Sequence, residues 1–483
     1  MTHSDASDSA TDQPMAGAGI VHIGIGAFHR AHQAVYTHDA MAAEAGDWHI
    51  IGVSLRSTEI VDALNAQGCA FSVIERHPDG PKARKITSMT HALAAARDVA
   101  PVIATLANPA IRIVTITVTE KAYGIDRSGK VQRNHPAIKH DLENPAAPSG
   151  LVGILVAGLK RRKDAGPRPF TIVSCDNLPA NGHLLRAGVI DFAQQIDPDL
   201  GQWIAEHVSF PSTMVDRITP AATAQTFADA KRLTGHDDPA AIETEPFSQW
   251  VIEDDFPDGR PAWEKAGAIL VRDVEPYELM KLRMLNGSHS LIAYVGQLGG
   301  YRYVRDAMAN DMFAKLVARH MENAAASMTP LPGIDFADYG AELVDRFRNP
   351  EIAHETRQIA MDGTEKLPQR IFAPALQMMN APKQLGTFAL CFAAWLAVMR
   401  TRINGADASE AAQTLNDPRA DDIVAALGDD QEAAAIYDRL AHLQGWMPEG
   451  LQESAVWREA VIARLSLLLS EGADHAIAQE LAP

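Results

Sequence analysis

Cysteine is scarce in this chain, with three among 483 residues: Cys69, Cys175 and Cys391. An odd number with no CxxC pair argues against a disulfide framework and a structural zinc site, and fits a reducing cytoplasm. Basic charge is also short. Lys and Arg total 43 against 61 Asp and Glu, a formal net charge of -18, so the clustered cations that grip a phosphate backbone are missing and nucleic acid is not an expected partner. The longest apolar run, "LGTFALCFAAWLAVM" from Leu385 to Met399, falls short of the roughly 20 residues that cross a bilayer. It reads as a buried core helix, and no membrane partner is expected. Residues 1–18 are polar and small, without the basic-then-apolar order of a signal peptide, and read as a disordered tail.

What is present is ordinary globular material, 47% hydrophobic and 22% charged, in a chain long enough for more than one core. From Gly19, short β-branched runs alternate with amphipathic stretches, the pattern of a parallel sheet with crossover helices. "GIVHIGIGAF" gives a first strand and its turn, "QAVYTHDAMAAEAG" a helix and "WHIIGVSLR" a second strand. "IRIVTITVTEKAYG", Ile111 to Gly124, reads as a central buried strand. "FTIVSCDN", "HVSFPSTMVDRITP" and "AILVRDV" supply further strands. After Pro276 the strands give out, and runs such as "DMFAKLVARHMENAAASM" and "WREAVIARLSLLLSEGADHAIAQELA" carry helical spacing. The expectation is an α/β protein with a Rossmann-type dinucleotide-binding domain over 19–275 and an all-helical, substrate-binding domain over 276–483.

"VHIGIGAFHRAH" places Gly24 and Gly26 between the first strand and a helix. In a dinucleotide turn the first glycine permits the bend and the second lets a diphosphate approach the backbone. His29 stands where the third glycine of the fingerprint is usual. His29 and His32, three apart, have no companion ligands nearby and read as locally hydrogen-bonded histidines, not a metal pair. The second strand should end in an acid to grip the adenosine ribose of NAD. It ends instead in Arg56, Ser57 and Thr58, with Glu59 late, so NAD is expected and NADP is not excluded.

"KLRMLNGSHS", Lys281 to Ser290, sets polar groups in an otherwise apolar helix that opens at Pro276 with Glu278 in its first turn. At about 100° per residue, Lys281, Asn286 and His289 share an arc of roughly 140°. Singly each has a structural reading: an i,i+3 pair of Glu278 with Lys281, a capping asparagine, a satisfied core histidine. Together, beside Gly287, they read as a site, because a lysine buried on such a helix is how a general base is made.

Lys281, Asn286 and His289 spell K-x4-N-x2-H, and this resembles the signature of the polyol-specific long-chain dehydrogenases, the family of mannitol 2-dehydrogenase and fructuronate reductase (mannonate oxidoreductase). The likeness extends through "GIGAFHRAH", "TVTEKAYG", "SCDNLPANG", "FPSTMVDRITP", "QWVIEDDFPDGRPAWEKAGA" and "AMDGTEKLPQR"; beyond those motifs the last hundred residues resemble the family only in being helical. The resemblance implies Lys281 as general acid/base, with Asn177 and Asn286 stabilising the developing alkoxide. It implies that His289 positions substrate hydroxyls, that Asp216 lies near the lysine and that Glu278 conducts its proton to solvent. Lys366 and Arg370 are expected to line the substrate pocket. Gly24, Gly26, Ala27, Phe28, His29 and Arg56, with Thr119, Glu120 and Lys121, fall to the cofactor. No metal is needed where an ammonium and two amides polarise the oxygen.

The expected activity is a zinc-independent, NAD-linked interconversion of a hexitol or hexonate with its 2-keto sugar, the site lying in the cleft between the domains. Its only expected partner is the small-molecule sugar alcohol, sugar acid or ketose. A carboxylate on that substrate would want one of Arg283, Arg357, Lys366 or Arg370. Two alternatives stand beside this reading: a hydroxyacid dehydrogenase of the 6-phosphogluconate type, and a non-catalytic dinucleotide or sugar sensor.

Overall fold

A computed structural model describes residues 17–403, 416–427 and 431–482. The expected tail therefore lies outside the described residues up to position 16, while Ala18 already belongs to the first strand. The chain forms two compact units, Met1–Glu275 and Pro276–Pro483.

The first unit is built on a five-stranded parallel sheet of β1 (Ala18–Ile23), β2 (His49–Ser54), β5 (Met89–Ala94), β6 (Ile113–Ile116) and β7 (Thr171–Ser174), in the order β5-β2-β1-β6-β7. β1 lies in the middle and is buried along its whole length, which is why "AGIVHI" reads as a run and not as an alternation. Successive strands go one way from β1 and the other way from β6, so the order reverses between these two neighbours. In an open parallel sheet that reversal opens a crevice at the carboxyl ends of the strands. β3 (Phe71–His77) and β4 (Gly80–Ile86) make an antiparallel hairpin extended by β9 (Ile242–Thr244). A third sheet orders β11 (Ile269–Val271), β10 (Gln249–Glu253) and β8 (Thr213–Asp216).

One expectation needs shortening. β6 covers only Ile113–Ile116, not the whole run to Gly124. Thr117 N still donates to Ile23 O at 2.9 Å, and the ladder stops at the next residue because Val118 N is taken by the Asp176 carboxylate at 2.9 Å; the Thr117 hydroxyl donates to Gly24 O at 2.7 Å. Thr119, Glu120 and Lys121 follow in an exposed loop and a 3₁₀ turn.

The second unit is helical. Its longest helix, Pro382–Ile403, packs against Ala455–Ser470 and Gly287–Leu298. From Lys383 to Ile403 it is long and apolar enough to cross a bilayer, further than the quoted run suggested, yet 89% of its apolar window is buried inside the fold. Phe392 and Trp395 of this helix meet Trp446 at ring distances of 5.7 and 5.0 Å. Such aromatic pairs contribute about 0.5–1.5 kcal/mol each beyond simple burial.

Among the described residues of the second unit two stretches are π-helical: Lys281–Asn286 and Pro368–Phe372. They pack against each other. The first falls inside a motif singled out from the sequence and the second overlaps the end of another, and π turns concentrate at functional sites.

Candidate active site

In the first unit the expected cofactor residues gather along the carboxyl edge of the parallel sheet. Gly24 follows β1 with φ +103°, and a Cβ there would lie 1.8 Å from Thr117 O, so only glycine fits this bend. Gly26 is the opposite case: it is exposed, and a Cβ would meet nothing within 4 Å. The backbone is thus open to an incoming group at the position where a diphosphate would approach. Gly26 caps the short helix Ala27–Ala31, whose Ala27 and Phe28 are half-buried. Arg56 is exposed just beyond β2, and no acid ends that strand.

His29 does not lie where the sequence reading put it. It is wholly buried and stacked on His22, ring centroids 3.4 Å apart, so it supports the turn from below without lining its surface. The reason is the helix geometry: two residues past Ala27, the side chain turns back toward β1. His32 bonds Gln249 O at 2.9 Å and Gln33 at 3.0 Å.

At the end of β7, Asp176 accepts from Val118 N and from the Tyr123 hydroxyl at 2.6 Å. Burial pushes its carboxyl up to about 7 against these bonds, which favour the anion, with the Glu120 charge adding to the rise. Asp176 thereby ties the β6 exit to the β7 exit, and it presents the next residue, Asn177, at the exposed edge. Asn181 continues the brace, donating to Asp176 O at 3.0 Å and Thr213 O at 2.9 Å. Thr213 opens β8, and Asp216 closes it, 5% exposed.

In the second unit the lysine helix is α-helical from Glu275 to Met280 and π-helical from Lys281 to Asn286. An i→i+5 bonded turn is wider than an α turn, which brings residues five apart closer in azimuth. Lys281 and Asn286 therefore stand closer in azimuth than the arc computed for a regular α-helix, and the K-x4-N spacing matches one π turn. Lys281 is 7% exposed and His289 6%; Glu278 and Asn286 are half-buried. The His289 ring lies 4.6 Å from Phe347 and 5.2 Å from His354. Burial, then the charges of neighbouring cations including Arg370 and Lys281, holds its pKa well below the usual histidine value, so the ring is neutral.

Gly287 makes room, but for the protein's own atoms. A Cβ there would meet His320 Nε2 at 3.0 Å and Arg370 O at 3.3 Å, so the glycine lets the two π segments close up and does not by itself admit a ligand. Arg370 donates to Asn286 O and Ser290 Oγ, both at a long 3.4 Å. Lys366 donates to Met361 O at 2.7 Å. Arg283 bonds Ser327 O and Gln377 Oε1 at 2.6 Å each, so, like Lys366, it is engaged by the protein's own acceptors. Arg357 is exposed on the Thr356–Ile359 helix. Among the described residues no group of three or more His, Cys, Asp or Glu could hold a metal ion.

Sequence reasoning passed over Asp176, His22, Thr117 and His354. Asp176 was quoted within "SCDNLPANG", but nothing in that spacing says that its carboxylate caps Val118.

Residues 18–265 match the model of the mannitol dehydrogenase Rossmann domain, and residues 273–463 match that of the mannitol dehydrogenase C-terminal domain. The chain belongs to the mannitol dehydrogenase family of oxidoreductases. The second match carries the family likeness well into the last hundred residues, further than the motifs did. A D-mannonate oxidoreductase of Escherichia coli (strain K12) is 41% identical over 471 residues, 95% of either chain. A mannitol 2-dehydrogenase of Cereibacter sphaeroides is 44% identical over 363 residues, 74% of this chain and 76% of the relative. The solved Pseudomonas fluorescens mannitol 2-dehydrogenase, a ternary complex with NAD and D-mannitol, superposes with TM-score 0.81 at 37% identity, covering 96% of this chain and 94% of that one. Membership in the mannitol dehydrogenase family sets aside the 6-phosphogluconate-type alternative and the non-catalytic sensor.

Proposed function

We propose that this enzyme interconverts a secondary alcohol of a hexitol or hexonate with the corresponding 2-keto sugar, using NAD(H) and a lysine as general acid/base. The observation that carries the reading is Lys281 itself, 7% exposed at the head of a π turn that closes on Asn286. A buried amine beside a buried, neutral imidazole and a carboxamide suits proton exchange with a sugar hydroxyl.

The first unit fits a dinucleotide: a glycine bend that tolerates no side chain, a second glycine open to approach, and a crevice at the strand-order reversal. When bound, the nicotinamide supplies the acceptor or donor of hydride. In oxidation, neutral Lys281 takes the hydroxyl proton, and in reduction its ammonium returns one to the nascent alkoxide. Asn286 and Asn177 donate hydrogen bonds to the oxygen on which negative charge develops; a donor of this kind typically contributes ~3–4 kcal/mol to transition-state stabilisation. His289 orients substrate hydroxyls, and Lys366 and Arg370 bind the far end of the substrate. Asp216 joins this set, and Glu278 passes the lysine proton toward solvent. Thr119, Glu120, Lys121 and Arg56 flank the cofactor. No step in this scheme needs a metal.

Initial rates with D-mannitol, D-mannonate, D-altronate and D-arabinitol, each with NAD and with NADP, test the proposal. Turnover of D-mannitol, D-mannonate or D-altronate with NAD supports it. Activity confined to 6-phosphogluconate, or NADH binding without turnover of any sugar or sugar acid, contradicts it.

A further inference from the structure

β1 carries a histidine at a depth where a parallel core strand normally holds aliphatic residues. His22 is 0% exposed, yet both of its ring nitrogens are engaged. Nδ1 lies 2.7 Å from Thr115 Oγ1, while Nε2 lies 2.8 Å from Thr117 Oγ1 and 3.2 Å from Gly24 O. The Thr117 hydroxyl donates to Gly24 O at 2.7 Å. With its only proton directed there, Thr117 Oγ1 accepts from the imidazole, so Nε2 carries the hydrogen and Nδ1 accepts from Thr115. Burial holds the His22 pKa at about 3, which keeps the ring in the neutral form that this chain of bonds requires.

Three pieces of the crevice meet on this one ring. Above it is the carbonyl of the first glycine, which also accepts from Gly26 N at 2.8 Å. Beside it is the exit of β6 through Thr115 and Thr117. Against its face lies His29 of the first helix, stacked at an interplanar angle of 15°. Fixing the Gly24 carbonyl fixes the peptide plane that joins Gly24 to Ile25, and hence the direction of the turn's N–H groups. A turn already held in place loses less freedom when a ligand binds.

We propose that His22 is a positioning residue for the dinucleotide: a neutral, Nε2-protonated imidazole that, with the Thr117 hydroxyl, clamps the glycine turn from beneath and sets the enzyme's dinucleotide affinity. It touches no ligand. The inference rests on the dinucleotide site proposed above, and a direct NADH titration separates the two.

The test uses the full-length enzyme and NADH fluorescence titration, with steady-state kinetics alongside. His22→Phe keeps a ring against His29 and removes the ring's hydrogen bonds to Thr115, Thr117 and Gly24 O; Thr117→Val removes the relay hydroxyl at similar volume. Each is expected to raise the NADH Kd and the KM for NAD about tenfold, the effect of one lost positioning hydrogen bond, with kcat within about twofold. His22→Gln, which restores an N–H at the Nε2 position, is expected to recover part of the affinity. Two-bond ¹H–¹⁵N correlation should find the His22 proton on Nε2. Should His22→Phe fail to fold, Thr117→Val and the tautomer carry the test. Variants with wild-type Tm and unchanged NADH Kd, or a proton on Nδ1, overturn the clamp. A wild-type enzyme that binds no NADH overturns the dinucleotide site itself.

Discussion

Gly24 and Gly26 look alike in the sequence and behave oppositely in the fold. Gly24→Ala must place a methyl group on Thr117 O at positive φ and should destabilise the enzyme by about 3 kcal/mol or more. Gly26→Ala meets no protein atom within 4 Å; it should unfold within about 1 kcal/mol of wild type but bind NADH about tenfold more weakly. Chemical denaturation and NADH titration check both, and equal stability losses would refute the distinction. Asp176 gives a pH-dependent prediction. Its folded pKa, about 7, is raised from 3.8 by burial, so its contribution is fully present below about pH 3.8 and is lost as pH rises through 7. Asp176→Asn, which keeps an acceptor for Val118 N, should gain Tm relative to wild type progressively from pH 5 to pH 8. A difference that is constant across that range would show that Asp176 does not titrate there. The identity of these residues is written in the sequence; their environments are not, because burial of a carboxyl by residues 53 and 58 positions away is a property of the folded sheet.

The elements were unequally legible. β1 and β2 stood out as short β-branched runs between turn signals, and the helical run after Pro276 because its apolar residues keep the helical period. β3 was missed because it carries Glu75, Arg76 and His77, charges that normally mark a surface. Arg76 is in fact buried, paired with Asp229 and Glu243 of the same unit. β6 was overextended because β-branched residues continue past the point where Val118 leaves the ladder. The π turns were invisible: a hydrophobic pattern reports the buried face but not whether a turn holds one extra residue. Their close approach predicts a sharp response at Gly287. Gly287→Ala forces a methyl against His320 and the Arg370 backbone; overpacking of this kind costs about 1–3 kcal/mol. Because it wedges apart the segments carrying Asn286 and Arg370, kcat should fall by about tenfold or more with NADH Kd unchanged. A variant that loses stability but keeps kcat would sever the π contact from catalysis.

At the scale of the whole molecule, the proposed division of labour follows the two units. The glycine turn and Asn177 belong to Met1–Glu275, and the helix proposed to transfer the proton begins Pro276–Pro483. The point of division was suggested by the sequence, where the change from alternating strand and helix to helix alone falls beside the K-x4-N-x2-H motif. The choice of sugar was not, because three of the four candidate cations, Arg283, Lys366 and Arg370, donate to protein carbonyls in ways no spacing reveals. The scheme uses an amine and two amides where other dehydrogenases use a metal, so dialysis against EDTA should leave the rate unchanged; loss restored by a divalent ion would contradict it. The most direct measurement is single-turnover and steady-state reduction of D-fructuronate and D-fructose by Lys281→Ala, with NADH affinity measured on the same preparation. The account predicts that the rate constant falls by about 10³-fold while NADH Kd stays within about twofold. A Lys281→Ala enzyme that turns over within about tenfold of wild type would contradict it.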